Sequence, residues 1–134
     1  MSLEPSSQVS RRVLREYFDA LAALDPERIA SVFAEDGEIE DPVGTGVRRG
    51  RAEVAAYFAG GLCAAAQSVT IEIVSALPAG DSIAAHWRMT AHARGGRTAD
   101  AEGIDVLHIN GQGHILRAEG YWDRQAFRAA LAGV

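Results

Sequence analysis

The sequence predicts an α+β domain, with N-terminal helices packed on one face of a curved, mostly antiparallel sheet. Three observations predict it. Apolar residues recur at helical spacing through the first half of the chain. The second half alternates apolar and polar residues in long runs separated by glycine-rich turns. The 134 residues are 48% hydrophobic and 23% charged, which suits one core, so residues 1–134 are read as a single domain with residues 1–8 as a flexible tail. A curved sheet under helices forms a cone, and a cone encloses a pocket.

The elements follow in order. In "SQVSRRVLREYFDALAALD", Val9, Val13, Tyr17, Leu21 and Leu24 recur at spacings of four, four, four and three, one apolar face of a helix. Asp25-Pro26 reads as an N-cap followed by proline at the first helical position. It opens a short helix, "PERIASVFA", that buries Ile29, Val32 and Phe33. "EDGEIED" reads as a turn and a short strand, with Ile39 and Asp41 on the same face. "PVGTG" is a loop, and "GRAEVAAYFAGGL" a third helix stopped by Gly60-Gly61, with Val54, Phe58 and Leu62 as its inner stripe. Four strands follow. "SVTIEIVSALPAG" places Val69, Ile71, Ile73, Ser75 and Leu77 on one face, and "SIAAHWRMTAHA" does the same for Ile83, Ala85, Trp87, Met89 and Ala91. "RGGR" at 94–97 is a hairpin turn, "RTADAEGIDVLHI" the third strand, "NGQG" another turn and "HILRAEGYW" the fourth strand. "DRQAFRAAL" closes the chain as a helix with Asp123 as N-cap.

Composition excludes several functions. A net charge of −5 argues against a nucleic-acid partner, which calls for a positive face. The basic cluster "RRGR" at 48–51 reads as solvated loop and helix start, with a phosphate site as the alternative. Cys63 is the only cysteine, so there is no disulfide framework or CxxC metal site, and it reads as a buried inert thiol. His86, His92, His108 and His114 lack ligand spacing on a helix, so no metal and no cofactor is expected. The sequence shows neither a signal-peptide apolar region nor an apolar run long enough to span a bilayer, which makes no membrane and a cytoplasmic location the expectation.

Three polar residues carry the functional reading. Asp105, in "EGIDVLHI", shares a face with Gly103, Leu107 and Ile109, and the opposite face is also partly apolar. A central strand would therefore bury this carboxylate, and an unpaired buried carboxylate takes up a proton. A neutral Asp is a hydrogen-bond donor and can stabilise a developing oxyanion, as a buried Tyr can. Tyr17 faces inward from the first helix, and Asp41 stands at a turn where an ionised base would sit near a pocket mouth. Together they describe proton abstraction next to a carbonyl. Each residue also has a plainer role. Tyr17 fits a core tyrosine, Asp41 before proline fits a turn former, and Asp105 fits an ion pair with Arg88 or Arg117.

The chain resembles the ketosteroid isomerase family, within the wider group that shares the NTF2-like, SnoaL-like cone fold. The resemblance runs from about Val9 to about Phe127 and rests on "REYFDALAALDPERIASVFAEDGEIEDPVG", "GRAEVAAYFAGG", "GIDVLHINGQGHI" and "AEGYW". It implies an active site of Tyr17, Asp41 and Asp105. Asp41 would move a proton from the carbon between a ketone and an isolated double bond to the far end of the dienolate. Tyr17 and protonated Asp105 would hold the enolate oxygen, and Trp122 would shield the base from water. Val43, Phe58, Trp87, Met89 and Leu107 are the residues expected to line the site for a small, flat hydrophobic ligand, steroid-like or polyketide-like.

The chain departs from that pattern at two supporting tyrosines, where Phe33 and Phe58 stand. Tyr57 is one residue early and so is turned roughly 100° away on its helix. The two arginines in "PVGTGVRRG" would suit an acidic ligand group. Related alternatives are a SnoaL-like polyketide cyclase, an Asp-Arg-Asp set around a water as in limonene-epoxide-hydrolase relatives, and a non-catalytic ligand carrier. The outer sheet face (His86, Arg88, Thr90, Ile104, Val106, His108) is part apolar and is expected to pair two copies into a homodimer.

Overall fold

The structure is a computed structural model, and it describes residues 6–133. Helix α1 (Ser6–Ala22) buries Val13, Tyr17 and Leu21 of the predicted stripe and adds Leu14 and Phe18 to it, while Val9 and Leu24 at its ends are half-buried. It takes in Ser6, Ser7 and Gln8, so part of the expected tail is helical; residues 1–5 lie outside the described residues. Helix α2 (Pro26–Ser31) starts as predicted, with the Asp25 carboxylate accepting the Arg28 N–H at 3.2 Å. It ends earlier than expected. Val32 caps it, and Phe33 already begins strand β1 (Phe33–Glu40). Strand pairing competes successfully with further helix here: the Ile115 N–H donates to the Val32 carbonyl at 2.9 Å.

Of the basic cluster, Arg51 opens a helix as expected, but Arg48 and Arg49 are strand and not loop. Arg48 and Arg49 form strand β2 (Arg48–Arg49), paired antiparallel with Glu38 and Ile39. Helix α3 (Arg51–Gly60) stops at Gly60-Gly61 as expected. Leu62 belongs instead to a separate short helix, α4 (Leu62–Ala65). Strands β3 (Ser68–Ala79), β4 (Ser82–His92), β5 (Thr98–Ile109) and β6 (Ile115–Trp122) form an antiparallel meander. Helix α5 (Arg124–Ala132) follows, its Ala126 N–H bound by Asp123 at 2.9 Å.

The six strands run in the order β2-β1-β6-β5-β4-β3, and β1 lies parallel to β6. This parallel pairing brings the end of β1 beside the end of β6, where the site lies. Along β4 the predicted face is buried without exception, from Ile83 to Ala91. On β3 the alternation breaks. Ile73 pairs with Trp87 and Ser75 with His86, leaving Val74 as an extra residue. A bulge exchanges the two faces of a strand, so Leu77 ends 74% exposed and Ala76 turns inward.

One end of the cone is solid. Ile83, Leu107 and Ala118 are neighbours across three strands there and pack with Ile39, Phe33 and Ile115. The other end, toward Trp87, Met89 and Ile71, is open under α1, α3 and α5. Among the described residues, no helix is long and apolar enough to cross a membrane.

Candidate active site

Strand register builds the site. Gly120 on β6 pairs with Asp105 on β5, and Asp41 follows the last parallel pair, Glu40 with Glu119. The Val43 N–H donates to the Gly120 carbonyl at 2.8 Å and fastens the turn there. Asp41, Gly120 and Asp105 thus form one row across three strands. Gly120 has no Cβ, and a Cβ there would fall on the Asp41 carboxylate and 3.2 Å from Asp105 Oδ1. The next row is Trp122, Gly103 and Trp87. A Cβ on Gly103 would stand 2.6 Å from the Trp87 ring and 2.8 Å from Trp122 Cβ. Each glycine opens the space that its larger neighbours fill.

The two rows are joined by hydrogen bonds. Trp122 Nε1–H donates to Asp41 Oδ1 at 2.6 Å, and Trp87 Nε1–H donates to Asp105 Oδ1 at 3.0 Å. The indoles meet edge to face, with centroids 6.0 Å apart. Asp41 has a further donor. The Tyr57 hydroxyl lies 2.6 Å from its carbonyl oxygen and 3.1 Å from Oδ2. Among the described residues Asp105 meets no arginine: Arg88 pairs with Glu102, while Arg117 pairs with Glu38, Glu40 and Glu119.

Tyr17 closes the site from α1. Its ring is held edge-on by Phe18, Phe33 and Phe58, at centroid distances of 5.4, 5.9 and 6.5 Å. Among the described residues its hydroxyl has no hydrogen-bond partner, yet no buried polar side-chain atom is left unsatisfied. The hydroxyl therefore opens onto the cavity that Tyr17 lines with Asp41 and Asp105. This cavity measures about 200 Å³, roughly ten times or more what one water needs. Its wall continues through Phe18, Leu21, Ile71, Met89, Phe127 and Leu131.

Electrostatics separate the two acids. Burial raises the Asp41 pKa, and the hydrogen bonds from Trp122 and Tyr57 and the charges of Arg124 and Arg48 oppose that rise without cancelling it. Burial raises Asp105 well above the ordinary aspartate range, the Asp41 charge adds to this, and only the Trp87 bond opposes it. Both carboxyls are thus raised by burial, and Asp41 has more groups beside it that favour its charged form than Asp105 has. Tyr17 is likewise pushed well up, by burial first and then by Asp105, Asp41 and Tyr57, and stays a neutral donor.

Residues 14–118 match the SnoaL-like domain family. The chain belongs to that family. It is 33% identical over 117 residues to the Steroid Delta-isomerase of Nocardioides simplex, covering 87% of this chain and 91% of the relative. RV0760c from Mycobacterium tuberculosis, solved in complex with estradiol-17beta-hemisuccinate, superposes with a TM-score of 0.75 at 24% identity, covering 88% of this chain and 96% of that one. The epoxide hydrolase/cyclase-like enzyme SalBIII, of pyran ring formation in polyether salinomycin, does so with a TM-score of 0.77 at 27% identity, covering 90% and 95%. The cone is the fold these proteins share.

The structure brings together Tyr17, Asp41, Asp105, Phe58, Trp87, Met89 and Trp122 around one cavity. Two expected lining residues stand elsewhere. Val43 points outward, 42% exposed, on a turn held by its own N–H to the Gly120 carbonyl, by the Gly44 N–H to the Glu40 carboxylate and by the Thr45 hydroxyl to the Pro42 carbonyl. Leu107 is fully buried in the solid end of the cone. Alternation gave its face correctly but not its depth. Tyr57 is not turned away from the site, since its long side chain reaches Asp41 from the flank of α3. Sequence reasoning also missed Arg124 and Arg128, which line the cavity from α5, and the two spacer glycines. A glycine inside each of the strands "EGIDV" and "EGYW" was the available signal for the latter.

Proposed function

We propose that the protein is an isomerase that converts a β,γ-unsaturated ketone of a hydrophobic, steroid-like ring system to its conjugated form. The observation that carries this reading is the row of two aspartates across Gly120, each on its own indole and facing the same cavity as the Tyr17 hydroxyl. Asp41 is the base. Ionised, it takes the proton from the carbon between the carbonyl and the double bond, and the electron pair moves onto the ketone oxygen as a dienolate. Tyr17 and protonated Asp105 donate to that oxygen. Asp105 accepts from Trp87 on Oδ1, which leaves its O–H for the cavity. Asp41 then returns the same proton to the far carbon, and the double bond comes into conjugation. No atom is gained or lost. The likeness to a steroid delta-isomerase over most of both chains supports the substrate class.

Trp122 serves this chemistry as a donor to the base as well as a shield. Phe33 and Phe58 hold the Tyr17 ring by packing where hydrogen-bonding tyrosines would do so through hydroxyls. Two copies are proposed to pair through the outer sheet face, where Ile104 and Tyr121 stand exposed among ion pairs; sedimentation as a monomer at micromolar concentration would refute this.

The test is isomerisation of a β,γ-unsaturated ketosteroid, followed by growth of the enone absorbance. Wild type is expected to turn over, and Asp41→Asn to lose about 10²- to 10⁴-fold in kcat while binding a phenolic steroid with unchanged fold. Equal rates in the two proteins would remove Asp41 from the mechanism. A second reading is kept by Arg124, which shares the cavity with both acids, and by the likeness to SalBIII. Asp41 would then deprotonate a hydroxyl, and Asp105 would protonate an epoxide oxygen as the hydroxyl closes a ring. Turnover of a hydroxy-epoxide without isomerisation would select it.

A further inference from the structure

The mouth of the cavity carries more positive charge than its effect on Asp41 accounts for. The inner stripe of α5 reads Arg124, Phe127, Arg128 and Leu131. That is the spacing of one helical face, where a helix roofing an apolar cavity would carry only apolar residues. A second groove adjoins the cavity. Tyr57, Gly60, Gly61 and Arg128 line both spaces, and Arg48, Glu53 and Ala56 complete the outer one. The groove is therefore a vestibule of the cavity. Arg48 lies over the Tyr57 ring, 4.3 Å from its centroid.

These arginines differ from others in the chain. Arg49, Arg88 and Arg117 each meet a glutamate. Arg48, Arg124 and Arg128 have no ion pair among the described residues. Glu53 is the one acid of the vestibule, and its Oε1 is engaged by the Arg49 backbone N–H at 3.1 Å. Arg124 and Arg48 also act on Asp41, whereas Arg128 has no such duty. In a chain of net charge −5, three guanidiniums without carboxylate partners at one opening form a local anion-attracting field.

We propose that this vestibule is a subsite for an anionic arm, a carboxylate or a sulfate, borne by the hydrophobic ring system at the end away from its reacting ketone. The ring part of this statement rests on the isomerase reading; the charged arm rests on the vestibule alone. Guanidinium groups suit both anions through paired N–H donors.

Binding tests it without turnover. Trp87 and Trp122 line the cavity, so their emission reports occupancy by estradiol and by its hemisuccinate and sulfate esters, made at the hydroxyl far from the phenol. The esters are expected to bind about tenfold more tightly than estradiol at low salt, with the preference shrinking as salt screens it. Arg128→Gln, at an exposed position without a protein partner, is expected to bring the ester-to-estradiol ratio close to one, and Arg128→Lys to restore part of it. A preference for one ester alone supports the subsite and names the arm. Equal affinities in wild type, or an unchanged ratio in Arg128→Gln, overturn it. Preference without isomerisation would sink the proposed reaction and leave the subsite standing.

Discussion

Asp41 and Asp105 are the same side chain on the same sheet face, separated by one glycine and each bound by one indole N–H. Their surroundings then diverge. Asp41 also receives the Tyr57 hydroxyl and feels Arg124 and Arg48, while Asp105 feels mainly its own burial and the charge of Asp41. The contrast teaches that a carboxylate's role is set by the number of donors that favour its charged form against the water it has lost. Two acids placed this way differ in how much their surroundings favour the charged form, which is what the proposed base and donor roles require of a single residue type.

Applying one substitution to both positions is the strongest way to break the comparison. Asp41→Asn removes the proposed base and should show the largest loss of turnover. Asp105→Asn keeps an N–H where the carboxylic O–H stood and should lose far less. Asp105→Ala removes the donor and should cost about 10²- to 10³-fold in kcat. Steady-state rates for the three variants check the order. If Asp105→Asn were as damaging as Asp41→Asn, the two acids would not have separate roles.

Gly120→Ala attacks the spacer itself. The new methyl would occupy the place of the Asp41 carboxylate, so the base must move while every reacting group remains. A displacement of this size should lower kcat by about 10²-fold. Activity measured beside a thermal melt separates lost placement from lost fold, and wild-type turnover in a folded Gly120→Ala protein would show that Asp41 does not need its present position.

How much of this was legible follows from what each signal can carry. The stripe on α1, the cap at Asp25 and the buried face of β4 are local patterns, and local patterns give the right elements and the right faces. That Tyr17, Asp41 and Asp105 meet at one cavity was legible from the faces they occupy together with the family resemblance, which supplied their proposed roles. Leu107 was misplaced because alternation carries no information about which end of a cone is filled. The Val74 bulge and the β2 pairing depend on partners distant in sequence. Tyr57 was missed because a helical angle describes a Cβ, and a phenol reaches well past it. The arginines of α5 were hidden on a helix read only for its ending.

Tyr57→Phe sharpens the comparison with a smaller effect. The Tyr57 hydrogen bond holds the Asp41 pKa down against burial. Removing it raises that pKa, so if Asp41 is the base the acid limb of the kcat/KM profile should move to higher pH. Trp122→Phe should move the limb the same way and somewhat further, since that bond is the shorter of the two. A limb that stays in place in both variants would mean that another group controls it.

The smallest effect concerns stability alone. A folded-state pKa raised above the unfolded value gives stability that is full below the unfolded pKa and is lost as pH rises through the folded one. Asp105 is raised by burial and by Asp41, so between the ordinary aspartate range and its own the native chain binds the extra proton. Stability to urea should therefore fall as pH rises through that window, by at most about 1.4 kcal/mol per pH unit for this group. Asp105→Asn has no proton to lose and should flatten the slope. Asp41 is raised as well, so Asp41→Asn should also reduce the slope, by removing its own share and by withdrawing the charge that lifts Asp105. If the slope of wild type and Asp105→Asn coincide, Asp105 is ionised in the folded protein, and the donor that completes the oxyanion site must be sought among Tyr17 and the indoles.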